Sequence, residues 1–423
     1  MRISTLSIGD ELITGRVIDT NVSTIAKGLL ELGLHLQRHI MVGDIEPDIM
    51  EALQELSRTS DAVIVTGGLG PTADDMTARA AARTTGRRLV VNEDAKHHVR
   101  TMSSQLPSLM VCPLNDKQAL IPTKTTLIPN PTGTACGFYL MYNSCFLFFL
   151  PGVPSEMKIM LNQSVFPHIS QRIPARKIIL SSHLNIFGPC EAEVDELLNG
   201  VANPGHGLSL GICVTYPWMK VTLQSEAETE TVAQKQLAIA IEEARNRLDQ
   251  YVFSEGERSI EEVIASLFVQ CGVTLSLAES CTGGMIAERI TSVAGSSRYF
   301  LEAGVTYSNS SKQRQLAVDS QILQERGAVS SEVANLMAKG IRAATGSDIG
   351  LAVTGIAGPD GGSEEKPVGT VFISLAAPDG CWTKRFQFNG TRHEIRVMTR
   401  WTATDWLRRY LLAHLPDLPI CQT

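Results

Sequence analysis

Twice along this chain, apolar strands alternate with amphipathic helices and a buried strand runs directly into a glycine-rich turn. No other feature constrains the fold as much. Apolar runs predict strands at 3–8, 35–42 and 62–66, and amphipathic runs predict helices at 21–32 and 47–57 between them. Strand–helix–strand order of this kind belongs to a parallel sheet covered by helices. After the third strand comes Thr66-Gly67-Gly68-Leu69-Gly70-Pro71-Thr72, followed by a predicted helix carrying Asp74 and Asp75. Open parallel sheets take their ligands beyond the carboxyl ends of the strands, where this turn lies. The last third repeats the scheme, with strands at 274–278, 304–307, 349–354 and 371–376 among helices at 260–269, 284–291, 330–345 and 394–412.

Between the two lies a smaller α+β pattern: a strand near 178–180, a helix around 191–198, strands near 208–214 and 219–224, and a helix over 228–249. The polar stretch 254–259 reads as a linker whose Ser259 caps the next helix together with Glu262. The expected domains are therefore 1–175, 176–256 and 257–423. A chain of 423 residues, 43% of them hydrophobic, can bury a core in each. Its most apolar run, Cys145 to Leu150, is stopped by Pro151 and is too short to span a bilayer. Asp10 and Glu11 interrupt the apolar stretch that a signal peptide would need. The nine cysteines include no C-x-x-C pair, which predicts neither a disulfide framework nor a zinc site and points to a reducing cytoplasm. A net charge of -7 argues against a general nucleic-acid backbone binder.

In the last domain the strand at 274–278 runs into Glu279-Ser280-Cys281-Thr282-Gly283-Gly284 and then a helix. A serine at such a turn projects from the sheet end, and the N–H groups after it form an electropositive cradle suited to an oxyanion. The serine needs a base. His393 and His414 are the only histidines of this domain, and Lys312, in the loop Ser308-Asn309-Ser310-Ser311-Lys312 after Tyr307, is the better candidate if burial depresses its pKa. The plainer alternative leaves Ser280 and Thr282 as helix caps and Lys312 as a solvated charge. A second glycine loop, Thr354-Gly355-Ile356-Ala357-Gly358-Pro359-Asp360-Gly361-Gly362, follows another buried strand and favours a ligand, although it also fits an exposed turn. Arg392, Arg396 and Arg400 recur at helical spacing and would clamp a phosphate or form a solvated face.

Those strings, with Val305-Thr306-Tyr307-Ser308-Asn309 and Lys312, resemble the CinA carboxy-terminal family, the nicotinamide-nucleotide amidases. The resemblance implies hydrolysis of nicotinamide mononucleotide to nicotinic acid mononucleotide and ammonia without a cofactor. Ser280 would be the nucleophile, Lys312 the general base and Tyr307 a proton-relay or positioning group. Thr282, Gly283, Gly284, Thr354, Gly355, Gly358, Arg392 and Arg396 would bind substrate.

In the first domain, Ser7-Ile8-Gly9-Asp10-Glu11 and Gly67 to Asp75 end two strands, so two acidic clusters would meet at one sheet edge. Carboxylates beside a glycine cradle suit a hydrated divalent ion bridging phosphates, whereas either cluster alone fits helix capping equally well. These strings, with Asn115, Lys117, Gln118, Asn130-Pro131-Thr132-Gly133-Thr134-Ala135 and Pro151 to Glu156, resemble the molybdopterin-binding fold in its CinA branch. The resemblance implies a three-layer α/β domain and divalent-metal-dependent hydrolysis of ADP-ribose. Asp10, Glu11, Asp74 and Asp75 would be metal ligands or bases, and Gly67, Gly68, Gly133 and Thr134 would hold phosphate. The middle segment resembles a KH-like module, but Gly188-Pro189-Cys190-Glu191 closes on glutamate where nucleic-acid binders keep glycine. A spacer or homodimerising role is expected there. The alternatives are a competence-associated regulatory or binding protein and a pterin-binding adenylyltransferase-like first domain.

Overall fold

The computed structural model describes residues 1–105, 117–173 and 177–414; Asn115 and the expected boundary at 175/176 fall outside them. Two units are distinguished, Met1–Leu180 with Ser225–Gln236, and Ser181–Gln224 with Leu237–Thr423.

In the first unit the strands lie in the order Leu36–Val42, Ile3–Ile8, Ala62–Thr66, Cys145–Leu150, Gly137–Tyr142 and Thr126–Ile128. The first four are parallel and the last two antiparallel. Every residue of Ile3–Ile8 and Ala62–Thr66 is buried, because successive side chains enter opposite faces and both faces are covered. On one face Leu6, Val63 and Phe149 pack against Ile49, Leu53 and Leu56 of the helix Glu46–Thr59. On the other, Ile3, Ile64 and Phe148 pack against Ile25 and Leu29 of Asn21–Glu31 and Met157 and Met160 of Pro154–Met160. The three layers are those expected. The chain starts in the middle of the sheet, moves out to Leu36–Val42 and crosses back to Ala62–Thr66. That reversal opens a crevice beyond Ile8 and Thr66.

Asp74 and Asp75 lie in the turn before the helix Thr77–Thr84, not on it as expected. The Asp75 carboxylate accepts the N–H of Thr72 at 2.8 Å and its hydroxyl at 2.7 Å, closing the turn instead of extending the helix.

The second unit repeats the reversal. Its five strands run Phe300–Val305, Leu275–Glu279, Ile349–Gly355, Thr370–Ala377 and Gly380–Gln387, the first three parallel. Helices Ile260–Cys271 and Arg392–Ala413 contribute Ile264, Phe268, Trp401 and Leu407 to the core on one face. Helix Ser331–Thr345 contributes Val333, Met337 and Ala338 on the other. Ser259 and Glu262 form the expected capping box.

Two expectations fail here. The loop around Lys312 is a helix, Asn309–Leu316, capped by Ser308, whose side chain accepts the Ser311 N–H. Its polar sequence has no apolar stripe to reveal it, because much of what it buries is Ser311 and Lys312. The linker is in part a strand, Val252–Glu255, antiparallel to Ile178–Ile186 in a four-stranded sheet completed by Trp218–Ala227 and Leu208–Thr215. Phe187 and Phe253 join the core of the last domain, which supplies the apolar reason for that strand. Among the described residues no helix is long and apolar enough to cross a membrane.

Candidate functional sites

In the second unit, Ser280 stands one residue beyond Leu275–Glu279 at the point where the strand order reverses, its N–H bonded to the carbonyl of Val353 on the neighbouring strand at 3.1 Å. Lys312 projects from the first turn of its helix and is 1% exposed. Its Nζ lies 3.1 Å from Ser280 Oγ, 2.7 Å from the Thr306 carbonyl oxygen and 3.2 Å from that of Tyr307. Burial pushes its pKa below the ordinary lysine value, since no carboxylate is among those partners. A neutral amine at hydrogen-bond distance can take the serine proton. His414 is engaged instead by Asp379 and Tyr410.

The N–H cradle after Ser280 is only partly available. Glu279, 1% exposed, accepts from the N–H groups of Gly284 at 2.9 Å, Ile286 at 3.2 Å and Ala287 at 2.8 Å, so its own carboxylate fills the amino end of Met285–Thr291. Gly283 donates to the Ser280 carbonyl at 3.1 Å. Among the described residues no backbone carbonyl accepts from the N–H groups of Cys281 and Thr282, which leaves these two as the candidate donors to an oxyanion. Gly283 has φ +61°, and a Cβ there would stand 3.4 Å from Arg396 Nη2. The Cys281 thiol is buried and pushed up to about 12, which leaves it inert beside the serine.

Arg392 and Arg396 come from the amino end of the helix Arg392–Ala413. Arg396 donates to the Thr282 carbonyl at 2.7 Å, and its buried Nε has no partner. Arg392 donates to the Gly358 carbonyl at 2.7 Å and to the Tyr307 hydroxyl at 3.0 Å. Tyr307 therefore meets Lys312 through its carbonyl only, and its hydroxyl positions an arginine. The second glycine loop thus reaches the same place through Gly358, while Gly355 lies against Val371 and the Thr354 hydroxyl donates to the Ala328 carbonyl at 2.8 Å. Arg400 is drawn off to the buried Glu261 at 3.3 Å. Glu279 is the residue that sequence reasoning missed; an acid just before a glycine turn and a helix was its only signal.

In the first unit the crevice is a cavity of about 590 Å³ lined by the turns that follow five strands of the sheet, including Glu11, Asp44, Gly67, Gly68, Asp74, Thr134 and Gly152. Gly67 has φ +103°, and a Cβ there would fall 2.1 Å from the Ile8 carbonyl, so only glycine lets these turns meet. Gly133 packs against the Glu156 carboxylate, with its N–H held at 3.0 Å by Asn130 Oδ1. Asp10 does not line the cavity: its carboxylate accepts the Asp44 N–H at 3.0 Å, and Asp44 accepts the Asp10 N–H at 2.9 Å. Asp75 is held by Thr72. Burial and the nearby Asp10, Glu11 and Asp75 carboxylates raise the Asp44 pKa, although the Asp10 N–H opposes them. Among the described residues no three His, Cys, Asp or Glu side chains converge to hold a metal ion. Asp19, Asn21 and Asp44 line the cavity without having been foreseen, because nothing in their local sequence separates them from surface polar residues.

Residues 257–411 match the family described as "CinA C-terminal domain", 4–171 the "Probable molybdopterin binding domain", and 181–254 the "Damage-inducible protein CinA KH domain". A CinA-like protein of Geotalea uraniireducens is 54% identical over 98% of either chain. Another from Geobacter sulfurreducens is 51% identical over 97% of this chain and 100% of its own. Among solved structures, the competence/damage inducible protein CihA of Agrobacterium tumefaciens is 40% identical over 36% of this chain and 93% of that one, with a TM-score of 0.35.

Proposed function

This chain belongs to the CinA family over nearly its whole length, and from that premise we propose that its last domain is a nicotinamide-nucleotide amidase working through a serine–lysine pair. The observation that carries the reading is a lysine amine, 1% exposed and depressed by burial, 3.1 Å from Ser280 Oγ. Lys312, entering neutral, takes the Ser280 proton as Oγ bonds to the carboxamide carbon of nicotinamide mononucleotide. The carbonyl electron pair moves onto oxygen, for which the Cys281 and Thr282 N–H groups are the candidate donors. Collapse breaks the C–N bond, and the proton held on Lys312 leaves with ammonia. Water then adds to the acyl-serine, Lys312 taking one of its protons and returning it to Ser280. Arg392 and Arg396 supply positive charge for the substrate phosphate. Ammonia release from nicotinamide mononucleotide should fall by more than about a thousandfold in both Ser280→Ala and Lys312→Ala, since nucleophile and base act as a unit. Undiminished turnover in Ser280→Ala would end the serine mechanism, and an inert wild type would favour a binding or regulatory role.

The cavity of the first unit supports a second reading, metal-dependent hydrolysis of ADP-ribose. Its carboxylates, which add to burial in raising Asp44, oppose a pyrophosphate unless a cation accompanies it. Glu11, Asp44 and Asp74 would face a hydrated divalent ion that arrives with the phosphates. Such an ion supplies charge neutralisation and polarises the phosphoryl oxygens. ADP-ribose hydrolysis should be lost in chelator and weakened in Asp74→Asn, and activity that persists in chelator overturns the metal requirement.

A further inference from the structure

Helix Arg392–Ala413 has two occupied faces. At about 100° per residue, Arg392, Arg396 and Arg400 form one stripe, and Glu394, Trp401, Asp405 and Arg408 lie about 160–220° around from Arg392. The first two arginines of that stripe face the serine turn, where Arg396 holds the Thr282 carbonyl and Arg392 the Gly358 carbonyl, while Arg400 pairs with Glu261. The opposite face is gripped by the middle module of the same unit. Trp401 lies 5.4 Å from Phe187, 5.3 Å from Phe253 and 6.4 Å from Trp218 by ring centroids. Arg408, 3% exposed, donates to the carbonyls of Val252 at 3.0 Å and Gln250 at 2.8 Å. The Tyr216 hydroxyl, at the tip of the hairpin that carries Trp218, donates to the Glu394 carbonyl at 3.3 Å, within one turn of both Arg392 and Arg396. A packed helix moves as a rigid body, so whatever fixes one face fixes the other.

We propose that the middle module positions the substrate's phosphate clamp: by holding the Glu394, Trp401 and Arg408 face of the last helix, it sets where Arg392 and Arg396 stand at the serine site. The inference rests on the amidase reading for the identity of the anion. Tyr216 and Trp218 are then positioning residues that touch no substrate. Their loss should weaken recognition of the phosphate while sparing the chemistry at Ser280.

The test compares nicotinamide mononucleotide with nicotinamide riboside, which lacks the phosphate, in wild type, Trp218→Ala, Trp218→Phe and Tyr216→Phe. In Trp218→Ala the KM for the mononucleotide should rise about five- to tenfold, the scale of coupling through packed side chains, with kcat within about twofold and riboside kinetics unchanged. Trp218→Phe, which keeps an aromatic ring against Trp401, should recover most of the loss. Tyr216→Phe should shift KM in the same direction by a smaller factor, and it serves if Trp218→Ala does not fold. A folded variant with unaltered KM, or one in which both substrates suffer alike, overturns the proposal. If wild type releases no ammonia, the amidase reading fails separately, and the same variants are compared by calorimetric binding of inorganic phosphate: weakened binding supports the clamp, unchanged binding overturns it.

Discussion

Burial penalises the charged form of a lysine amine, and Lys312 is 1% exposed with no carboxylate among its hydrogen-bond partners. Its lowered pKa sets two measurable pH effects. Catalysis needs the deprotonated amine, so kcat/KM should rise with pH and level off below 10.5, the ordinary lysine value; a rate still climbing beyond it would mean that Lys312 keeps its usual basicity. Stability follows the same proton. Between the lowered folded value and the ordinary one, the unfolded chain binds a proton that the folded chain does not. In that window stability therefore rises with pH, at up to about 1.4 kcal/mol per unit for one group. Lys312→Met should flatten this slope in urea denaturation measured across the window. Ser280 and Lys312 were both legible as residue types in a pattern. That Lys312 reaches Ser280 was not, because the polar helix carrying it has no apolar periodicity.

The element that most shapes the serine site is the short helix Met285–Thr291. Seven residues are too few to persist without outside support, and Glu279 supplies it by accepting three of the N–H groups at its amino end. Glu279→Gln keeps the shape but gives up the charge and replaces one acceptor oxygen by a donor. It should cost roughly 1–3 kcal/mol in thermal or urea unfolding and lower kcat as the Cys281–Thr282 turn loosens. Unchanged stability would show that the helix holds without its carboxylate. Ser259, whose capping box was foreseen from Ser and Glu three residues apart, offers a comparison: Ser259→Ala should cost about 1 kcal/mol and leave kcat alone. The difference in legibility is physical. A capping box is closed within four residues, whereas Glu279 acts across a turn on N–H groups five to eight residues ahead.

At the scale of the whole molecule, both candidate sites arise from one topological event. In each unit the first parallel strand is flanked by the second and the third, and the two turns that leave the reversal point face one crevice. In the second unit the core extends beyond the sheet of the last domain to Phe187 and Phe253. Trp401→Ala should therefore cost about 3–5 kcal/mol, and by hydrogen exchange it should lower protection both in helix Arg392–Ala413 and in strand Val252–Glu255. Loss confined to the helix would mean that the module does not share this core.

Local sequence determined the strands, most of the helices, the glycine turns and the residue types at both sites, because strand burial, helix periodicity and capping are written within a few residues of one another. Tertiary structure alone decided which of those residues meet. It brought Lys312 to Ser280, turned Arg392 and Arg396 toward the serine turn but Arg400 toward Glu261, and withdrew the Asp10 carboxylate onto a backbone donor while leaving Glu11, Asp44, Asp74 and Asp75 on the cavity. Those outcomes depend on competition between a ligand, a backbone donor and a second charge for the same polar group, and that competition is settled only when distant segments are packed together.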